Sequence, residues 1–143
     1  MRWRHPVLVG LMLALIPIAA VTAEAGISVR DAWVRETPPG VDMMAGYMVL
    51  QNNTSRSQVL VAASSSGFET VMIHRTIVKD GLAGMVHASQ TELAPNASLI
   101  FAPGGYHLML MNPKRTLRAG DRVDITLKFR GGLVLPVAYE VRK

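Results

Sequence analysis

The 143-residue chain contains no cysteine, and this absence excludes every function that depends on a thiol. Disulfide-stabilised scaffolds, cysteine-based zinc sites, iron–sulfur clusters and thiol nucleophiles are ruled out. A blue-copper electron-transfer centre of the usual His₂Cys type is also ruled out, because its equatorial thiolate is missing. In contrast, the chain has nine methionines and four histidines, whose side chains are soft and borderline metal ligands.

Aromatic residues are scarce, at 6% of the chain. Basic residues exceed acidic ones by 15 to 10, and the excess lies in the last thirty residues. These basic residues are spread through turns and a strand without an aromatic platform on which bases could stack, so we expect no nucleic-acid partner. A solvated rim is the simplest interpretation of them, and a weak docking face for an acidic partner is the alternative.

The motifs of common enzymes are also missing. The sequence signals no Ser–His–acid set, and no glycine-rich loop opens a helix. We therefore expect a protein that is not an enzyme.

The first 25 residues have the organisation of a secretory signal peptide. A basic start with Arg2 and Arg4 precedes the apolar run Val7–Ala20, and small residues with A-x-A-like sites end at positions 23 and 25. A membrane anchor is the alternative, but this run is short for a spanning helix and contains Pro17. We therefore expect residues 26–143 to form a soluble domain outside the cytoplasm, without a membrane anchor after cleavage.

Beyond this leader, alternating apolar and polar residues predict a chain of short β-strands. Long stretches of helical period are absent, and turn sequences separate the alternating segments. We therefore expect one all-β domain, an antiparallel sandwich or small barrel. The predicted strands are Ser28–Arg35, Gly46–Gln51, Gln58–Ala63, Thr70–Val78, Met85–Ala88, Ser98–Phe101, Tyr106–Met111, Asp121–Phe129 and Leu133–Val141.

The predicted strand Tyr106–Met111 carries soft side chains on one face. Alternation groups its tyrosine and two leucines on one face and His107, Met109 and Met111 on the other. If the tyrosine–leucine face is the core, the histidine and both methionines face outward. The alternative is that both faces are buried, with a hydrogen-bonded core histidine and methionines that fill gaps.

A predicted hairpin brings a second group of soft ligands together. If Asp80 and Gly81 are the central residues of a type I′ turn, His74 faces His87 across the hairpin. Met85 then lies on the same face, as a diagonal neighbour of His74. A longer loop or a bulge would change this register.

Two histidines and two methionines, without thiolate or carboxylate, favour monovalent copper. Thioether sulfur is a soft ligand that prefers Cu(I), whereas zinc and hard cations use other donors. The candidate ligands are His74, Met85, His107 and Met109, and His87 and Met111 are additional candidates. The Met43-Met44 pair either caps the same site or packs beneath a loop, which is the commoner role of such a pair.

The four candidate ligands are spaced H-x10-M-x21-H-x-M, which resembles the copper-binding signature of the periplasmic PCu(A)C copper chaperones. The segments Asp31–Arg35, Tyr47-Met48 and Pro103–His107 are similar to that family as well. The resemblance covers nearly all of the chain after the leader, and the four-residue spacing is specific.

The resemblance implies a fold, a metal and a function. The fold is a cupredoxin-like Greek-key β-sandwich or barrel over residues 26–143, and the Cu(I) site is His74, Met85, His107 and Met109 at the surface. The implied function is delivery of copper, in the periplasm, to the binuclear copper centre of a haem–copper (cytochrome c) oxidase. The partners are then a copper-accepting oxidase subunit and a Sco-type thioredoxin-like protein, and we expect a monomer. The alternatives are a copper-storage or electron-transfer protein, and a metal-free adaptor that uses its methionine face to bind proteins.

Overall fold

The computed structural model describes residues 26–143, so the predicted signal peptide lies outside the described residues. Among these residues, no helix is long and apolar enough to cross a membrane. The described chain folds into ten strands: β1 Ile27–Arg35, β2 Met43–Asn52, β3 Gln58–Ser64, β4 Phe68–Lys79, β5 Leu82–His87, β6 Thr91–Leu93, β7 Ser98–Phe101, β8 Tyr106–Pro113, β9 Arg122–Phe129 and β10 Val134–Arg142.

Nine of these ten strands are predicted from the sequence, with differences at their ends. Strand β6, Thr91–Leu93, is missed because three residues are too few to show an alternating pattern. Strand β2 begins at Met43 instead of Gly46. Its early start matters for the site, because the first part of β2 pairs with β8 and the second part pairs with β7.

The strands form one continuous sheet in the order β5-β4-β8-β7-β2-β1-β10-β9-β3-β6, with a further pairing of β8 and β2. Strands β3 and β4 are far apart in this order but contact each other, so the sheet folds over on itself. The predicted all-β sandwich or barrel is confirmed. Most strand pairings are antiparallel, as predicted, and two are parallel, namely β1 with β10 and β7 with β8.

The hydrophobic core lies between the folded halves of the sheet. On β9, Ile125 and Leu127 are fully buried, as alternation predicts. The hydroxyl of Tyr139 donates a hydrogen bond to the sulfur of Met48 at 2.8 Å, and burial raises the pKa of Tyr139. Strand β8 contributes Leu108 and Leu110 to this core. The opposite face of β8 is therefore free to carry a site.

Candidate metal centre

The hairpin of β4 and β5 fixes the position of the first candidate ligands. Its turn residues Asp80 and Gly81 have positive φ angles of 52° and 76°, as a type I′ turn requires. The register that follows pairs His74 with His87. Met85 lies two residues before His87 and therefore on the same face. The pairing predicted from the sequence is confirmed.

Strand β8 brings two further candidate ligands beside the hairpin. It lies next to β4, with His107 opposite His74 and Met109 opposite Met72. The ring centroid of His74 is 5.9 Å from that of His107 and 5.6 Å from that of His87, and both pairs are edge-to-face. Three adjacent strands thus place three imidazoles in a row, with a methionine two residues from His107.

The structure corrects the expected outward exposure of His107. Its side chain lies on the face opposite Leu108 and Leu110, yet it is only 6% exposed. Strands β2 and β4 both pair with β8 in this region, so the ring lines a cavity wall instead of the open surface. Met109 and Met111 are partly exposed, as expected for the non-core face of this strand.

The ring of His107 is oriented by the turn that precedes it. Its Nδ1 donates a hydrogen bond to the carbonyl oxygen of Gly105 at 3.1 Å. In the neutral ring, this hydrogen bond selects the tautomer in which Nε2 is the nitrogen that can bind a metal. The turn depends on Gly104, whose φ of 83° favours glycine. The Pro-Gly-Gly sequence before the histidine therefore presents a metal-ready nitrogen to the cavity.

The imidazole of His74 has a buried nitrogen that lacks a partner. No group among residues 26–143 makes a hydrogen bond with its Nδ1. Desolvation lowers the pKa of His74 below its ordinary value of 6.5, and the charges of His107 and His87 lower it further. The ring is therefore neutral at pH 7, with a lone pair free to bind a metal. Because a buried polar atom without a partner is costly, a bound metal ion would relieve this cost.

One cavity joins three of the candidate ligands. Met85, His107 and Met109 line a cavity of about 290 Å³ whose wall is mostly apolar and has no carboxylate. Met85 is 59% exposed, so the cavity is open to solvent at this side chain. Within residues 26–143, no three side chains of His, Asp or Glu come together in a metal-binding group. The described part of the chain thus offers no carboxylate–histidine site for zinc or hard cations.

The donor set at this junction fits a soft monovalent ion. The imidazoles of His74 and His107 lie edge to face on neighbouring strands, and His107 shares the cavity with the thioethers of Met85 and Met109, whereas His74 is not among the residues that line it. Thioethers favour Cu(I), and imidazole binds it equally well. No thiolate or carboxylate is needed to balance the single charge of Cu(I).

The additional candidates differ in whether they line this cavity. His87 is exposed beside His74, on the side away from His107. Met111 pairs with Met43 across β2 and β8, and neither His87 nor Met111 lines the cavity. Met43 does line it.

No alternating pattern in the sequence favours Met43 as a ligand. With β2 expected to begin at Gly46, Met43 fell in a loop without an assigned face. Its neighbour Met44 is 3% exposed and belongs to the core.

Comparisons with known proteins place the chain in a family. A family model described as "LpqE-like: Putative lipoprotein LpqE-like" matches residues 27–141. The "Putative lipoprotein Lxx21020" of Leifsonia xyli subsp. xyli is 36% identical over 118 residues, which are 82% of this chain and 70% of that protein.

Solved structures agree with this placement. The solution structure of CuI-DR1885 from Deinococcus radiodurans is 33% identical with a TM-score of 0.68, and the match covers 87% of this chain and 83% of that chain. The copper-bound PCuAC domain from PmoF2 has a TM-score of 0.69 at 22% identity, covering 82% of this chain and 92% of that one. This second likeness concerns the fold alone. The chain belongs to the LpqE-like family, which is the family of the PCuAC domains.

Proposed function

We propose that this protein is an exported Cu(I) chaperone that carries copper at His74, Met85, His107 and Met109. The observation that carries the proposal is the buried, unpartnered Nδ1 of His74, next to His107 in a donor set without thiolate or carboxylate. The solution structure of the Deinococcus radiodurans relative, CuI-DR1885, supports Cu(I) as the cargo. The lipoprotein descriptions of the family and of the Leifsonia relative support export.

The different burial of the ligands suits a carrier. His107 is 6% exposed and Met85 is 59% exposed, so the site has a fixed inner wall and an accessible outer ligand. Met85 lies on β5, an edge strand of which every residue is exposed. An acceptor can therefore approach from the side of Met85 and replace the ligands one at a time, starting with the accessible thioether. A catalytic metal site needs an open position for substrate instead, and the protein acts here as a carrier and not as an enzyme.

The proposed acceptor is the binuclear copper centre of a haem–copper (cytochrome c) oxidase, with a Sco-type thioredoxin-like protein as cooperating partner. This part of the proposal rests on the resemblance of the ligand spacing to the PCu(A)C chaperones. We propose a periplasmic location for the carrier, as the resemblance to the PCu(A)C chaperones implies. We also propose a monomeric state, because the exposed ligand must remain free for the acceptor.

A Cu(I) titration against a competing chelator tests the metal site. A His107→Ala, Met109→Ala double variant should lose at least about 100-fold in affinity, because two ligands are removed. Met85→Leu provides a second variant whose folding is not in question, since this side chain is exposed, and it should also bind more weakly. Equal affinity of the unaltered protein and the double variant would refute the metal site.

A second experiment tests the acceptor. The Cu(I)-loaded protein is mixed under anaerobic conditions with the soluble copper-accepting domain of the oxidase, and the two proteins are separated after timed intervals so that the copper bound to each can be measured. Transfer should be faster than from a Cu(I)–chelator complex of equal affinity. An equal rate from both donors would refute delivery to this acceptor and leave Cu(I) binding intact.

A further inference from the structure

Because β2 begins earlier than predicted, a further methionine, Met43, lies at the cavity. Met43 is the first residue of β2, and its side chain is 42% exposed. It lines the same cavity as Met85, His107 and Met109. Among the methionines of residues 26–143 that lie outside the proposed ligand set, Met43 is thus both exposed and in contact with this cavity.

The strand register places the Met43 side chain on the correct face. Met43 pairs with Met111, and Ala45 pairs with Met109. Met43 is therefore a diagonal neighbour of Met109 on the same face of the sheet, within reach of a long side chain. The flexible, unbranched methionine side chain can place its sulfur over a range of positions.

The residue between these methionines leaves room over the cavity. Ala45 lines the cavity directly opposite Met109, and its side chain is a single methyl group. A larger residue here would reduce the space in the cavity opposite Met109. The small side chain keeps the approach from β2 to Met109 open.

Met43 and Met85 stand on opposite sides of the inner ligands. Met43 is on β2, next to β8, whereas Met85 is on β5, beyond β4. His107 and Met109 on β8 lie between these two strands. Both outer thioethers are exposed, at 42% for Met43 and 59% for Met85, while the inner histidine is buried.

We propose that the Met43 thioether is an exchange ligand for Cu(I), which takes the place of Met85 when the acceptor or donor engages that side of the site. This proposal rests on the proposed Cu(I) carrier function. The exchange breaks one sulfur–copper bond and forms another between neutral thioethers. No proton or electron moves, and the charge of the site stays the same. Copper thereby keeps two sulfur ligands while Met85 is displaced.

Leucine substitutions separate this role from simple packing. Methionine and leucine have similar volume and apolarity, so the exchange is usually well tolerated, and it removes the sulfur. Both Met43 and Met85 are exposed, so their leucine variants should fold. Met72 is the matched control, because it faces Met109 from β4 but does not line the cavity.

The experiment measures Cu(I) affinity by competition with bicinchoninate, and counts sulfur ligands by copper X-ray absorption. Met85→Leu should keep two sulfur ligands and lose at most about tenfold in affinity. Adding Met43→Leu to that variant should remove one sulfur and cost at least about another tenfold. Met43→Leu alone should cost less than about threefold. Met72→Leu should change neither quantity.

Three results would overturn the exchange ligand. The first is a single sulfur in the Met85→Leu protein. The second is the same effect of Met43→Leu with and without Met85. The third is an equal loss from Met72→Leu. Each of these results can be observed only if the unaltered protein binds Cu(I) tightly. None of them therefore contradicts the carrier function. Absence of Cu(I) binding by the unaltered protein would instead refute the carrier function, and the exchange ligand with it.

Discussion

Replacing His74 with leucine should stabilise the metal-free protein while destroying the proposed copper site. The Nδ1 of His74 is buried and unpartnered, and such an atom costs about 1–3 kcal/mol. Because the whole side chain is only half-buried, we take the lower end and expect a gain of about 1 kcal/mol in the free energy of unfolding. For a domain of this size, that gain raises Tm by about 4 °C.

Copper should reverse this order of stability. A ligand that binds only the folded state adds about 2.7 kcal/mol when its free concentration is 100 times Kd. The unaltered protein should gain this amount, whereas His74→Leu should gain little, because its affinity falls at least about 100-fold. Urea denaturation at matched Cu(I) activity, with and without metal, measures both effects. His87→Leu is the control, since His87 is exposed and its loss should leave metal-free stability within about 0.5 kcal/mol.

One outcome would refute this reasoning directly. If metal-free His74→Leu is less stable than the unaltered protein by more than about 1 kcal/mol, the imidazole holds the fold together. The unpartnered nitrogen would then not be a feature kept for metal binding.

Three further predictions concern the core, the methionines and pH. Tyr139→Phe should cost about 1 kcal/mol in urea denaturation, because it removes the buried hydrogen bond to Met48; an unchanged midpoint would contradict this. Met109→Leu should weaken Cu(I) binding at least about tenfold in chelator competition, whereas Met111→Leu should change it less than about threefold; an equal loss would make Met111 a ligand. The stability of the metal-free protein should fall as pH drops below 6.5. The reason is that the pKa of His74 is lowered in the folded state, so the unfolded chain takes up the proton first. Urea midpoints that are constant from pH 7 to about pH 5 would contradict this.

The strand register of the β4–β5 hairpin could be predicted for each residue, because it depends on the turn residues alone. The Asp80-Gly81 dipeptide prefers positive φ at both positions, and that choice fixes every cross-strand pair up to His74 and His87. Likewise, alternation along β8 correctly separated the leucines from His107 and the two methionines. These features depend on residues only a few positions apart.

The cavity could not be predicted in the same way, because it depends on contacts between distant parts of the chain. The burial of His107 results from strands β2 and β4 on both sides of β8. Met43 reaches the cavity only because β2 pairs first with β8 and then with β7. No local pattern in the sequence predicts that β2 changes its neighbouring strand from β8 to β7.

The most direct test of the copper site is copper X-ray absorption on the Cu(I)-loaded, unaltered protein. The account predicts two nitrogen ligands from His74 and His107, and two sulfur ligands from Met85 and Met109. The same measurement on Met109→Leu should lose one sulfur and keep both nitrogens. A metal shell without sulfur, or one that contains oxygen in place of the thioethers, would contradict the account.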